Sequence, residues 1–162
     1  MKPSEILQRL LEVYSEKAAL RRRHEAVARI AGQYDVNNTY QYVIAREDEH
    51  LSWLADAIGD LGGTVPELLA PEALAPVKGD QALLGVFRGD AEASDAFVAT
   101  WGPRASDISH ARHQLMLKLI LGEMQEQARL FHQASTGRVD LLGRRTGGER
   151  TPGFVMPTRW VE

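Results

Sequence analysis

Carboxylate and imidazole side chains recur at helical spacing in two segments of the chain. His50 follows Glu47 by three residues, so the two side chains lie side by side on one face of a helix. Glu123 and Glu126 repeat this spacing further along. Oxygen and imidazole ligands without thiolate suit iron or manganese, so the pattern predicts a site for these metals.

Three of the four predicted helices direct a carboxylate toward the bundle interior when residues are placed about 100° apart. Glu47 and Glu123 fall at the centres of the apolar stripes of helices two and four, and Asp90 is the central polar residue of helix three. An unpaired buried carboxylate is very costly, so each needs a cation, a proton or a hydrogen-bonding partner. Two divalent metal ions would neutralise these three carboxylates together with Glu126.

Cationic side chains on the same faces offer a second way to balance these carboxylates. Lys17 and His24 lie on the apolar stripe of helix one. With a protonated His50 they would supply up to three positive charges, and a lysine beside a metal pair would repel it. A metal site and a buried salt-bridge network are therefore both open from the residues alone.

Glycine and proline separate four segments rich in good helix formers. The predicted helices span residues 4–33, 39–61, 80–101, and 106 or 107 to 135. Gly62-Gly63 ends the second helix and Gly102-Pro103 the third. Short turns make antiparallel hairpins of helices one and two and of three and four, whereas residues 62–79 can run the length of a bundle. We therefore predict an all-α four-helix bundle with a long crossover between helices two and three.

The chain divides into a bundle and an extension. Residues 1–135 form the predicted bundle, and residues 136–162 form an irregular C-terminal extension rich in Gly, Arg and Thr. This extension either lies along the bundle or packs on a neighbouring subunit. Trp53 points away from the stripe of helix two, so it either covers the crossover or marks a subunit interface.

Composition excludes several classes of protein. The 162 residues contain no cysteine, which rules out thiolate metal centres and a cysteine nucleophile. The net charge of −3 argues against nucleic-acid binding. The N-terminus lacks the apolar region of a secretory signal, and no stretch of about 18 uncharged apolar residues could span a membrane. A cytoplasmic protein without nucleic-acid or membrane partners is expected.

The motif of helix two resembles that of the ferritin-like superfamily. Glu47-x-x-His50 is followed by Leu51, Trp53-Leu54 and then Asp60-Leu61-Gly62-Gly63. Length and layout are similar to those of rubrerythrins and bacterioferritins, and the resemblance covers about residues 4–135. It implies a ferritin-like bundle with two metal ions, held by a Glu from each of two helices and a Glu-x-x-His from each of the other two.

Carried onto this chain, the resemblance implies that Glu47 and Glu123 bridge two metal ions, with His50 capping one and Glu126 or Asp90 the other. Three features depart from the family pattern. Glu126 stands where the family has histidine, and no glutamate lies at the centre of the helix-one stripe. Asp90 is also expected about two helical turns from the level of Glu123.

The leading expectation is a non-haem iron or manganese oxidoreductase that oxidises Fe(II) or reduces peroxide or dioxygen. Its electrons would come from an external donor, because the chain has no thiolate iron centre. Asp48 replaces the methionine that would bind haem in a bacterioferritin, so no haem is expected. The alternative is a non-catalytic ferritin-like bundle that has lost its metals and acts as an oligomeric scaffold or stress-related binding protein. A homo-oligomer, in the simplest case a dimer, is expected for either function.

Overall fold

The computed structural model describes residues 1–70, 73–77 and 79–142. These residues form a four-helix bundle and contain no strand. The helices are α1 (Pro3–Ile30), α2 (Tyr34–Asp60), α3 (Asp80–Ser106) and α4 (Ala111–Ser135). α1 packs mainly against α2 and α3 mainly against α4, and smaller contacts join α2 to α4 and α1 to α3. The predicted all-α class with four helices is confirmed.

The turn predicted at residues 34–38 is instead the first turn of α2. Asp35 lies in this turn, where a carboxylate favours the helix N-terminus. Asn37 Nδ2 donates a hydrogen bond of 2.8 Å to the carbonyl of Ala28, near the end of α1. The asparagine that suggested a turn therefore joins two helices, and α1 ends at Ile30 rather than at residue 33.

Helix α3 continues through Gly102-Pro103, where it was predicted to end, as far as residue 106. Pro103 lacks an N–H and so removes one hydrogen bond of the helix. The last turn is nevertheless held by tertiary contacts, because Ala105 is buried and Arg9 Nη1 donates a bond of 2.7 Å to the carbonyl of Arg104. Packing thus outweighs the local preference of the Gly-Pro pair.

Glycines in the left-handed conformation follow α2 and α4. Gly62 has φ +75° and Gly137 has φ +90°, and the N–H of Gly62 donates a bond of 2.8 Å to the carbonyl of Gly59. This is the usual way in which a glycine ends a helix. The glycine stop predicted after helix two is confirmed, whereas α4 begins only at Ala111 because α3 extends further than predicted.

The bundle interior consists of two apolar clusters with a polar layer between them. One cluster surrounds Leu10, Leu54 and Met124, and the other surrounds Tyr40 and Phe131. The polar layer is formed by buried side chains that lie between the clusters along each helix: Lys17, His24, Glu47, His50, Ser94 and Gln127. Because buried charges need partners, this layer is the candidate functional site.

The chain after α4 begins by packing on the bundle. Val139 and Leu141 lie against the cluster around Tyr40 and Phe131. The rest of the predicted extension, residues 143–162, lies outside the described residues. None of the described helices has the length and apolar character needed to cross a membrane.

Candidate functional site

A buried ion pair between α1 and α2 lies at the centre of the polar layer. Lys17 Nζ donates to Glu47 Oε1 at 2.7 Å, and both side chains are 0% exposed. His24 Nδ1 lies 2.9 Å from the other oxygen, Oε2. Burial raises the pKa of Glu47, but His24 and Lys17 together lower it to about 2. Glu47 is therefore ionised at neutral pH, and both of its oxygens have partners within the chain.

Two side chains of α4 complete the surroundings of Lys17. Its Nζ lies 3.5 Å from Gln127 Oε1 and contacts the Sδ of Met124. Burial lowers the pKa of Lys17, and the charge of Glu47 opposes this change. The predicted inward positions of Lys17 and His24 are confirmed, and Glu47 is the counter-charge that this buried ammonium requires.

A second pair joins α2 to α4 at Glu123. Arg46 donates two bonds to this carboxylate, from Nε at 2.8 Å and from Nη2 at 2.6 Å, and His50 Nε2 lies 2.9 Å from Oε2. The bond from Arg46 lowers the pKa of Glu123. Burial lowers the pKa of His50 to about 4. The sequence-based hypothesis of a protonated His50 is therefore wrong at neutral pH, and Arg46 supplies the positive charge instead.

Asp90 belongs to a third pair, beside the apolar cluster of Tyr40 and Phe131. Arg23 Nε donates to Asp90 Oδ1 at 2.6 Å, and the hydroxyl of Tyr40 donates to Oδ2. Burial, followed by the charge of Asp90, raises the pKa of Tyr40 well above its ordinary value. The described hydrogen bonds and ion pairs do not join Asp90 to Glu123, as the expected two-turn offset implies.

Glu126 lies on the exposed side of α4 rather than in the interior. Arg129 Nε donates to its carboxylate at 2.9 Å, and this bond lowers the pKa of Glu126. The expected inward position of Glu126 is wrong because the buried face of α4 runs through Ile120, Met124 and Gln127. Gln127 is the next residue, about 100° around the helix, and takes the interior position.

The four predicted carboxylates do not fit a two-metal site in their present pairing. In residues 1–70, 73–77 and 79–142, no group of three or more His, Asp or Glu could hold a metal ion. Each of the four predicted carboxylates instead has a cationic partner: Glu47 with Lys17, Asp90 with Arg23, Glu123 with Arg46, and Glu126 with Arg129. A divalent ion about 4 Å from the Lys17 ammonium would be repelled by roughly 8 kcal/mol at an effective dielectric constant of about 20.

Arg23, Arg46 and Tyr40 are the site residues that the sequence analysis did not identify. Arg23 precedes His24 and Arg46 precedes Glu47, so both arginines adjoin residues that had been singled out. Placement on a helical wheel puts these arginines beside the apolar stripe, but it does not show which carboxylate a long side chain can reach.

Comparisons with models of protein families, with curated proteins and with solved structures found no match. The arrangement of the polar layer is therefore the basis for assigning a function. The layer and the ion pairs beside it contain three carboxylates, each paired with a lysine or arginine side chain of a neighbouring helix.

Proposed function

We propose that this protein is a metal-independent bundle of ferritin-like topology that acts as a non-catalytic oligomeric scaffold or binding protein. The observation that carries this proposal is the fully buried Lys17–Glu47 pair, with 2.7 Å between Nζ and Oε1. Lys17 and His24 contact the two oxygens of Glu47, and the Lys17 ammonium would repel a metal ion bound to this carboxylate. The bundle thus neutralises its own interior and needs no metal for charge balance.

Ferritin-like topology, with two antiparallel hairpins and a crossover, is supported by the order of contacts along the chain. Ala28 bonds to Asn37 near the connection between α1 and α2, and Lys17 bonds to Glu47 further from it. With increasing distance from the connection, residue numbers fall along α1 and rise along α2. The two helices therefore run antiparallel, as in a hairpin. Residues 61–79 separate α2 from α3, which is a connection long enough for a crossover.

A non-catalytic role is supported by the burial of the charged groups. Lys17, His24 and Glu47 are all 0% exposed. A catalytic group has to meet its substrate within hydrogen-bond distance, directly or through one water molecule. Glu47 instead binds Lys17 and His24 of the neighbouring helix, which is the pattern of a network that specifies how helices pack.

The second candidate is the metal-dependent oxidoreductase predicted from the sequence. It is favoured by two imidazole nitrogens of the polar layer, His24 Nε2 and His50 Nδ1, which are unpartnered among the described residues. In this candidate, Glu47, His50 and Glu123 would hold iron or manganese. The metal would supply Fe(II) oxidation, or reduction of peroxide or dioxygen, with electrons from an external donor.

Metal analysis of the full, tag-free chain from cells grown with added iron and manganese distinguishes the two candidates. We expect less than about 0.2 ion per chain, and no rise in melting temperature on adding Fe(II) or Mn(II) anaerobically.

One or two ions per chain would overturn the proposal if Glu47→Gln removed them. Glu49→Gln is the matched control, because this carboxylate is exposed on the same helix. It should leave metal content unchanged under either candidate.

A further inference from the structure

The surface formed by α2 and α4 carries exposed apolar side chains. Leu115 and Leu119 lie one turn apart on α4 and are 64% and 53% exposed. Met116 on the same helix and Trp53 on α2 are partly buried against the apolar core. We call Leu115, Met116, Leu119 and Trp53 the α4 patch. Large apolar side chains grouped in this way are typical of interaction surfaces, whereas singly scattered ones are ordinary.

The Arg46–Glu123 pair connects the two helices of this patch. The guanidinium of Arg46 lies over the ring of Trp53, 5.9 Å from its centroid, and also binds Glu123. Glu123 is one helical turn after Leu119. The polar edge of the patch is therefore held in place by an ion pair between α2 and α4.

Gly122 lies on the same exposed face, in the interior of α4. Beyond the adjacent turns of its own helix, no described atom lies within 4 Å of the position that a Cβ would take. The bundle itself therefore does not require glycine here, although glycine in a helix interior costs about 1 kcal/mol relative to alanine. A second helix that packs on this face would use the recess that glycine leaves.

The exposed charges of α4 differ between its two halves, since only the second half carries an exposed carboxylate. Arg112 and Lys118 lie in its first half, and Glu126 lies in its second half with Arg129 as a local partner. The side chains of Arg112 and Glu126 are 73% and 49% exposed. Exposed ion pairs are weak, so these groups can exchange partners when another chain approaches. Two such helices are complementary when they pack antiparallel.

We propose that the α4 patch is the interface of a homodimer in which two α4 helices pack antiparallel about a two-fold axis at Leu119. This register places Met116 of one copy opposite Gly122 of the other, and Arg112 opposite Glu126. The partner that binds the α4 patch is a second copy of this chain, because the patch is complementary to itself, as an isologous contact requires. The inference rests on the oligomeric part of the proposed function, but not on the absence of metal from the interior.

Cysteine cross-linking tests the register, because the chain has no cysteine of its own. Leu119→Cys places two thiols at the two-fold axis, so mild oxidation at low micromolar protein should give a disulfide-linked dimer. Leu69→Cys is the matched control, since Leu69 is 65% exposed but lies in the connection between α2 and α3. This control should remain uncross-linked under the same conditions.

Sedimentation equilibrium of the full chain tests the surface. The wild type should be dimeric, and the double variant Leu115→Lys/Leu119→Lys should raise the dissociation constant at least about 100-fold. Gly122→Gln should raise the dissociation constant about 10-fold or more, because the glutamine side chain fills the recess. The same substitution should raise the melting temperature of the monomer, because glutamine favours the helix more than glycine does. Leu69→Lys should dimerise like the wild type.

A monomeric wild type, or lysine variants that dimerise as tightly as wild type, would overturn the interface. A dimer that the lysines disrupt but that Leu119→Cys does not cross-link would overturn this arrangement of the helices. Metal content measured on the same samples shows separately whether the metal-independent core holds, so the two proposals fail in different measurements.

Discussion

Burial and ion pairing have opposite effects on the pKa of Glu47. Transfer of a carboxylate into the interior costs several kcal/mol, and Lys17 and His24 offset this cost to the extent that the pKa falls to about 2. A buried pair of this kind contributes little net stability, but it is costly to break because the remaining charge has no partner. Its main effect is to favour the one arrangement of α1 and α2 in which these groups meet.

Replacing one partner of this pair should be far worse than replacing both. We expect Lys17→Met to lower the free energy of unfolding by about 3–5 kcal/mol, whereas Lys17→Met/Glu47→Leu should be close to wild type. Urea unfolding of the two variants measures the difference. Arg129→Met, which breaks the exposed pair with Glu126, is the control and should unfold like wild type. A double variant as unstable as Lys17→Met would contradict this account.

Acid should destabilise the protein through His50. Burial lowers its pKa from 6.5 to about 4, so the unfolded chain binds the proton more readily than the folded one. The contribution of His50 is fully present above pH 6.5, and is lost as the pH falls from 6.5 to about 4, at a cost of roughly 3 kcal/mol.

Urea unfolding of His50→Gln between pH 7 and pH 4 measures this contribution. Glutamine keeps an N–H donor for Glu123 but does not titrate, so this part of the pH dependence should disappear. His132→Gln serves as the control, because His132 is exposed and pairs with Asp95 at the surface. Equal pH profiles for wild type and His50→Gln would show that His50 is not the group responsible.

Contacts between neighbouring helices explain why several helix ends differ from the positions that the local residues predict. α2 begins earlier than predicted because Asn37 bonds to α1. α3 passes Pro103 because Ala105 is buried and Arg9 binds the carbonyl of Arg104. The end of α2, in contrast, follows its local glycine signal because Gly62 adopts φ +75°.

Two glycines at this end of α2 should respond to alanine in opposite ways. Gly62→Ala should lower stability by about 1–2 kcal/mol, because an L side chain is strained in the left-handed conformation. Gly59→Ala should raise it by up to about 1 kcal/mol, since Gly59 lies within the helix and no described atom outside its local turns would contact a Cβ. Thermal unfolding of both variants beside wild type measures this, and shifts in the same direction would be inconsistent with the cap.

At the scale of the whole molecule, the polar layer divides one core into two apolar clusters. The cluster around Leu54 and Met124 and the cluster around Tyr40 and Phe131 each bury side chains from all four helices. Ion pairs fill the space between the two clusters. In the proposed function, these ion pairs stand where a metal centre would otherwise lie. The α4 patch lies on the outside of the same bundle and adjoins the polar layer at the Arg46–Glu123 pair.

Residue order alone predicts the four helices, the glycine stop at Gly62 and the interior positions of Lys17, Glu47 and Asp90. These features follow from the order of residues within single helices, because helical periodicity fixes which side chains share a face. The same reasoning did not place Glu126 or Glu123 correctly, since the exact rotation of α4 depends on its neighbours. Glu123 was expected at the centre of the buried stripe, but its side chain is 27% exposed at the edge of that face.

The pairing of the charges, in contrast, follows from the way in which the helices pack. Arg23 and Asp90 are 67 residues apart in the chain, and Arg46 and Glu123 are 77 apart. Which long side chain reaches which carboxylate depends on how the helices pack side by side, and no single helix contains that information. Residue types therefore predicted a layer of buried charge, and the packing of the four helices decided that arginine and lysine neutralise it.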